Sequence, residues 1–181
     1  MTKKNRVKTG LVQLYTGKGK GKTTAAIGQA IRAAGAGKKT AFFQFLKGGK
    51  FPVSEENILM KTEGIFYKRF EETTPFFDAA VEMDGLKMMV KNDIETVKEA
   101  IASGGYEMII LDEITHLIKL ELAAEKTVID MIKKASENVN FVLTGRGASK
   151  KLIDFSDLVT EMRAIKHPYK KGVKAAKGVE F

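Results

Sequence analysis

The sequence predicts a three-layer α/β fold, a mostly parallel sheet between two layers of helices. Three observations carry this. Strand-like and helix-like runs alternate along the whole chain, the pattern of consecutive βαβ units. Several strand runs are apolar almost without interruption, as in strands covered on both faces. Polar and glycine-rich residues collect just after these runs, where a parallel sheet places its ligands.

The first strand reads as residues 11–15, Leu11-Val12-Gln13-Leu14-Tyr15. A glycine-rich turn follows, then a helix over 22–35 that Gly35-Ala36-Gly37 ends. Thr40-Ala41-Phe42-Phe43-Gln44-Phe45-Leu46 is the second strand, and Lys47-Gly48-Gly49-Lys50-Phe51-Pro52 a loop. Ser54 is the predicted cap of a short helix through Met60. Residues 65–70 read as a strand. Thr74-Pro75 then opens a long helical segment, with a break near Asp84-Gly85, reaching Ala102. Residues 107–111 form a buried strand ending in Asp112-Glu113. A helix over 124–136, a strand over 139–144, a short helix and a last strand near 158–163 complete the pattern. Residues 1–9 are expected to be a basic tail and 10–181 a single domain.

Composition narrows the chemistry. The chain has 181 residues, 44% of them apolar, enough for a real core. It has no cysteine, which excludes disulfides, thiolate metal sites and cysteine nucleophiles. Its two histidines, His116 and His167, argue against a multi-histidine metal centre, and His116 reads as structural. No serine–histidine arrangement suggests a nucleophilic triad. No segment reads as a membrane span or a secretory signal, so a cytoplasmic protein is expected. The net charge of +9 suits an anionic partner. The basic ends lack aromatic stacking platforms, which weighs against nucleic acid.

The chemistry centres on Thr16-Gly17-Lys18-Gly19-Lys20-Gly21-Lys22-Thr23-Thr24. Strand, glycine-rich turn, Lys-Thr and helix make a phosphate-binding P-loop. Glycines let backbone N–H groups converge on phosphate oxygens, and the helix N-terminus adds positive potential. Lys22 supplies charge to the terminal phosphates, and Thr23 a hydroxyl for Mg²⁺. The strict pattern has glycine where Thr16 stands. Asp112 and Glu113, closing a hydrophobic strand, are the candidate Mg²⁺ carboxylates, and which of them contacts the metal is open. Arg146 follows another strand end; it fits a phosphate clamp and a solvent-exposed loop arginine equally well. Phe66 reads as core. Phe70, at the strand end, is placed to face a ligand. The whole is a P-loop NTPase pattern of the RecA-like kind.

These motifs together resemble the P-loop class of ATP:corrinoid adenosyltransferases, the cob(I)yrinic acid a,c-diamide adenosyltransferases. The P-loop with Ala25-Ala26, Phe43-Gln44-Phe45-Leu46-Lys47-Gly48, Leu111-Asp112-Glu113 and Leu143-Thr144-Gly145-Arg146-Gly147 carry the likeness. So does the tail: Val159-Thr160-Glu161-Met162-Arg163, Lys166-His167-Pro168 and 172–180. The resemblance implies that a Co(I) corrinoid attacks the 5′-carbon of ATP and inorganic triphosphate leaves. Lys22, Thr23 and Glu113 would then be catalytic, Thr16 to Thr24 with Arg146 would bind ATP, and Thr23, Asp112 and Glu113 would hold Mg²⁺. The family places a phenylalanine and a tryptophan near the corrin. This chain has no tryptophan. Phe70 takes the phenylalanine role, with Phe76 or Phe77 as substitutes. The preferred corrinoid (cobalamin, cobinamide or cobyrinic acid a,c-diamide) stays open. A reduced flavoprotein electron donor and a homodimer are further implications. The competing readings are a RecA-like ATPase acting with nucleic acid, a nucleoside kinase of the thymidine kinase type, and a corrinoid-delivery protein using ATP as a switch. The tail disfavours the first, and the lack of a cysteine-bound zinc the second.

Overall fold

A computed structural model describes residues 10–48, 53–74, 79–168, 172 and 175–179. Its centre is a six-stranded sheet, every pairing parallel, in the order β3-β2-β4-β5-β1-β6. The strands are β1 (Val12–Thr16), β2 (Thr40–Gln44), β3 (Ile65–Arg69), β4 (Met108–Asp112), β5 (Asn140–Thr144) and β6 (Leu158–Glu161). The helices are α1 (Lys22–Gly35), α2 (Glu56–Leu59), α3 (Met83–Ala102), α4 (Ile114–Lys119), α5 (Glu125–Lys133) and α6 (Lys150–Phe155). The sequence expectation of a three-layer, parallel α/β fold is met.

Strand alternation builds two cores. Val12, Leu14, Ala41, Phe43, Ile109, Leu111, Phe141 and Leu143 turn to one face, under α3, α4, α5 and α6. Tyr15, Phe42, Ile110 and Val142 turn to the other, against α1. The buried positions on α1 include Ala26, Ala30 and Ala33, a stripe of small side chains that lets this helix lie close on the sheet. At its end Gly37 takes φ +75° and donates to the Ala34 carbonyl, which stops the helix.

Several local expectations are corrected. Ser54 is not a cap: α2 starts after Glu55, without a side-chain cap hydrogen bond. Asp84-Gly85 is no break; it lies in the first turn of α3. Pro75 lies outside the described residues. The sequence reading had no helix at 114–119, where α4 forms. Phe66 is exposed by 46%, because β3 is an edge strand. Phe70 is buried, stacked on Phe43 at 5.9 Å and tilted on Phe45 at 4.8 Å. Its N–H donates to the Gln44 carbonyl, so it continues the strand register and its ring turns into the core. Phe76 and Phe77 lie outside the described residues. Among those described, no helix is long and apolar enough to cross a membrane.

Candidate active site

Parallel pairing brings the carboxyl ends of all six strands to one edge of the sheet, and the predicted polar residues gather there. The turn from β1 to α1 is the P-loop. Gly21 takes φ +111° just before the helix and Gly17 takes φ +99° near the start of the loop. Lys22 is buried, and its Nζ donates to the carbonyls of Gly17 at 3.1 Å and Gly19 at 2.8 Å. The ammonium thus sits inside the ring of the loop. Burial pulls its pKa below the ordinary lysine value, with Glu113 and Asp112 opposing and Arg146 and Lys47 assisting. Lys18, Lys20 and Thr24 lie on the exposed side of the loop.

Two loop glycines answer to the chain itself. The Gly19 N–H donates to the Met162 carbonyl at 2.7 Å. A Cβ on Gly19 would lie 2.7 Å from that oxygen, and one on Gly17 would lie 2.4 Å from it. The segment leaving β6 is packed on the loop so closely that only glycine fits. Thr16, in the departed position, is buried. Its carbonyl accepts from Met162 N–H at 2.8 Å and its hydroxyl faces Ala148 N–H at 3.4 Å.

Asp112 closes β4 and is fully buried. Its Oδ1 accepts from Thr23 Oγ1 at 3.0 Å and Thr144 Oγ1 at 2.6 Å; its Oδ2 accepts from Gln44 Nε2 at 3.0 Å. Burial, with Glu113 nearby, raises its pKa. Glu113 follows in a left-handed conformation, φ +64°, a strained setting for a residue with a Cβ. Its N–H donates to Thr144 Oγ1 at 2.9 Å, which fixes the turn into α4. Burial works to raise its pKa, but His116, Lys47 and Lys22 outweigh it and hold Glu113 below the ordinary carboxylate value. His116 Nδ1 lies 3.7 Å from Glu113 Oε2, so the histidine read as structural lies at the site margin.

The donor set suits Mg²⁺. A hydroxyl already oriented by a carboxylate, a second carboxylate beside it, and no cluster of three acidic or histidine ligands among the described residues match an ion that keeps waters and phosphate oxygens. Thr23 donates its proton to Asp112 and so turns its lone pairs outward. Arg146, exposed in the loop after β5, borders a cleft of about 1270 Å³ with Thr16, Gly17, Lys18, Arg163 and His167. The structure therefore brings together Lys22, Thr23, Asp112, Glu113 and Arg146, and leaves Phe70 in the core.

Sequence reasoning missed Gln44, Tyr67 and Thr144 as members of this network. Gln44 carried a signal: it is a polar residue that follows the apolar run Ala41-Phe42-Phe43 in a buried strand. Tyr67 and Thr144 carried none, because their contacts depend on cross-strand register.

The family model described as ATP:corrinoid adenosyltransferase BtuR/CobO/CobP matches residues 8–181. The corrinoid adenosyltransferase of Escherichia coli (strain K12) is 31% identical, covering 95% of this chain and 86% of that protein. The corrinoid adenosyltransferase CobA of Salmonella typhimurium is 32% identical over the same shares. A corrinoid adenosyltransferase from Sinorhizobium sp is 35% identical, covering 95% of this chain and 80% of that one. Among solved structures, a KaiC-like protein from Pyrococcus horikoshii superposes with a TM-score of 0.53 at 18% identity, covering 84% of this chain and 70% of that one, a likeness of fold. Matched over residues 8–181, this chain belongs to the ATP:corrinoid adenosyltransferase family.

Proposed function

We propose that this protein transfers the 5′-deoxyadenosyl group of ATP to the Co(I) centre of a corrinoid. The observation that carries the reading is the joining of Lys22, Thr23 and Asp112 at one sheet edge in a chain of this family. Co(I) donates its electron pair to the 5′-carbon, a cobalt–carbon bond forms, and the bond from that carbon to the α-phosphate oxygen breaks. The electron pair leaves on inorganic triphosphate, and cobalt becomes formally Co(III). The substrate is the nucleophile, so the protein needs no general base. Its work is to orient the 5′-carbon and stabilise the departing charge.

Triphosphate binding exchanges the two carbonyl bonds of Lys22 for bonds to phosphate oxygens. Backbone N–H groups of Gly21 to Thr24 complete the cradle at the head of α1. Thr23 and Asp112 would hold Mg²⁺, with Glu113 beside them. Bound there, the ion would neutralise charge building on the triphosphate. Arg146 approaches from the loop after β5 as a further cation. A reduced flavoprotein as electron donor, a homodimeric assembly and a cytoplasmic setting belong to the same proposal.

The test is anaerobic: protein, ATP, Mg²⁺ and chemically reduced cob(I)alamin, followed by visible spectrum and a triphosphate assay. Loss of the Co(I) bands, a light-sensitive alkylcobalt product and one triphosphate per product are expected. A spectrum unchanged by ATP, beside release of orthophosphate, would overturn the proposal.

A further inference from the structure

The geometry points to Tyr67 and Gln44 as positioning residues that aim the Asp112 carboxylate, and through it the Thr23 hydroxyl, at the metal position of the P-loop. The inference rests on the metal role proposed for Thr23 and Asp112. It adds a chain of donors reaching that role from the far edge of the sheet.

Four strands contribute. Tyr67 lies on the edge strand β3, and its hydroxyl donates to Gln44 Oε1 at 2.6 Å. Gln44 lies on β2, and its Nε2 donates to Asp112 Oδ2 at 3.0 Å and to Glu55 Oε1 at 3.2 Å. Asp112 ends β4, where it also accepts from Thr144 of β5 and from Thr23 at the head of α1. Every bond in this chain has a fixed direction. Two carboxylates face one end of the Gln44 amide, so that end must be the NH₂ group. The other end is then a carbonyl, which only a donor can satisfy, and Tyr67 is that donor. Burial raises the Tyr67 pKa, with Glu56 and Glu55 assisting, so the hydroxyl keeps its proton.

The consequence falls on Asp112. With Gln44 donating to one oxygen and Thr144 to the other, the carboxylate cannot rotate without breaking a bond. Thr23 then has a fixed acceptor, and its lone pairs are turned toward the triphosphate. Without the Tyr67 hydroxyl, the amide is free to turn and present its carbonyl oxygen to Asp112, a repulsive contact. Partners of this kind, one step removed from the ligands, typically contribute about 10–100-fold to metal affinity.

The experiment measures Mn²⁺ binding to the full-length protein with ATP and no corrinoid, by water-proton relaxation. Nothing turns over in that mixture. Tyr67→Phe keeps the ring, which lies 5.8 Å from Phe42, and removes only the hydroxyl. Gln44→Met removes the amide at similar volume. We expect Mn²⁺ affinity to fall about threefold in Tyr67→Phe and about tenfold in Gln44→Met. Metal-free ATP affinity should not move, and Tyr67→Phe should add nothing in the Gln44→Met background. In turnover, half-saturating Mg²⁺ should rise while kcat at saturating Mg²⁺ stays within about twofold. Wild-type Mn²⁺ affinity in Tyr67→Phe, or an undiminished further loss in the Gln44→Met background, overturns the inference. A wild-type protein that forms no Mn²⁺–ATP complex overturns the metal role itself, a result distinguishable from both.

Discussion

Glu72, in the loop after β3, offers a prediction whose size follows from the structure. Its side chain is buried. Oε1 accepts from Leu46 N–H at 3.3 Å, and its backbone carbonyl accepts from Gly48 N–H at 3.0 Å, so it ties this loop to the one after β2. Burial, with the Asp93 carboxyl beside it, pushes its pKa from 4.5 up to about 8. Asp93, on α3, is raised too, by burial, with Lys68 opposing. The folded protein therefore keeps a proton on Glu72 that the unfolded chain releases near pH 4.5. Folding is favoured fully below that pH, and the contribution is lost as pH rises toward 8. One extra proton in the folded state gives a slope of about 1.4 kcal/mol per pH unit. Between pH 5.5 and 7.5 the loss is about 2–3 kcal/mol, or roughly 5–10 °C in Tm for a chain of this size. Glu72→Gln keeps an acceptor for Leu46 and offers Asp93 a permanent donor. Urea unfolding of both proteins across pH 5.5–8.5 should show the variant gaining on the wild type by that slope. Parallel curves would refute the buried, protonated carboxyl.

Other expectations are simpler to test. Lys22→Ala removes the ammonium from the loop, and adenosylation by the anaerobic assay should fall by about 10²-fold or more. Gly19→Ala drives a Cβ to 2.7 Å from the Met162 carbonyl; ATP affinity by calorimetry should fall together with Tm. Phe70→Ala empties a stacked core position and should cost about 3–5 kcal/mol by chemical denaturation. Activity per folded molecule should then fall equally with Co(II) and pre-reduced Co(I) corrinoid, whereas a selective loss with Co(II), whose reduction the family resemblance links to bulky side chains that displace the lower axial ligand, would place Phe70 at the corrin. Chelation of divalent cations should abolish adenosylation, and Mg²⁺ should restore it.

The P-loop was legible because its chemistry is local: Lys22, Thr23 and their glycines are neighbours in the chain. Asp112 and Glu113 were legible because they end an apolar run. The path from Tyr67 through Gln44 to Asp112 was not, because it forms only when three parallel strands fall into register, and register is not written in any single segment. The exposure of Phe66 and the burial of Phe70 were hidden for a related reason. Strand parity puts Phe66 and Phe70 on one face, but the path of α3 decides which of them is covered. The strand end at Asp112 was read correctly while α4 was not, since Ile114-Thr115-His116 carries no helical period.

The contact between Gly19 and Met162 spans most of the chain. β1 sits between β5 and β6, so the first strand finds its neighbours only after the last ones exist. Such distant pairing folds slowly. During synthesis, a nascent chain holding every residue of the P-loop still lacks the backbone that shapes it. The finished shape of the loop thus depends on backbone that lies most of the chain away from it.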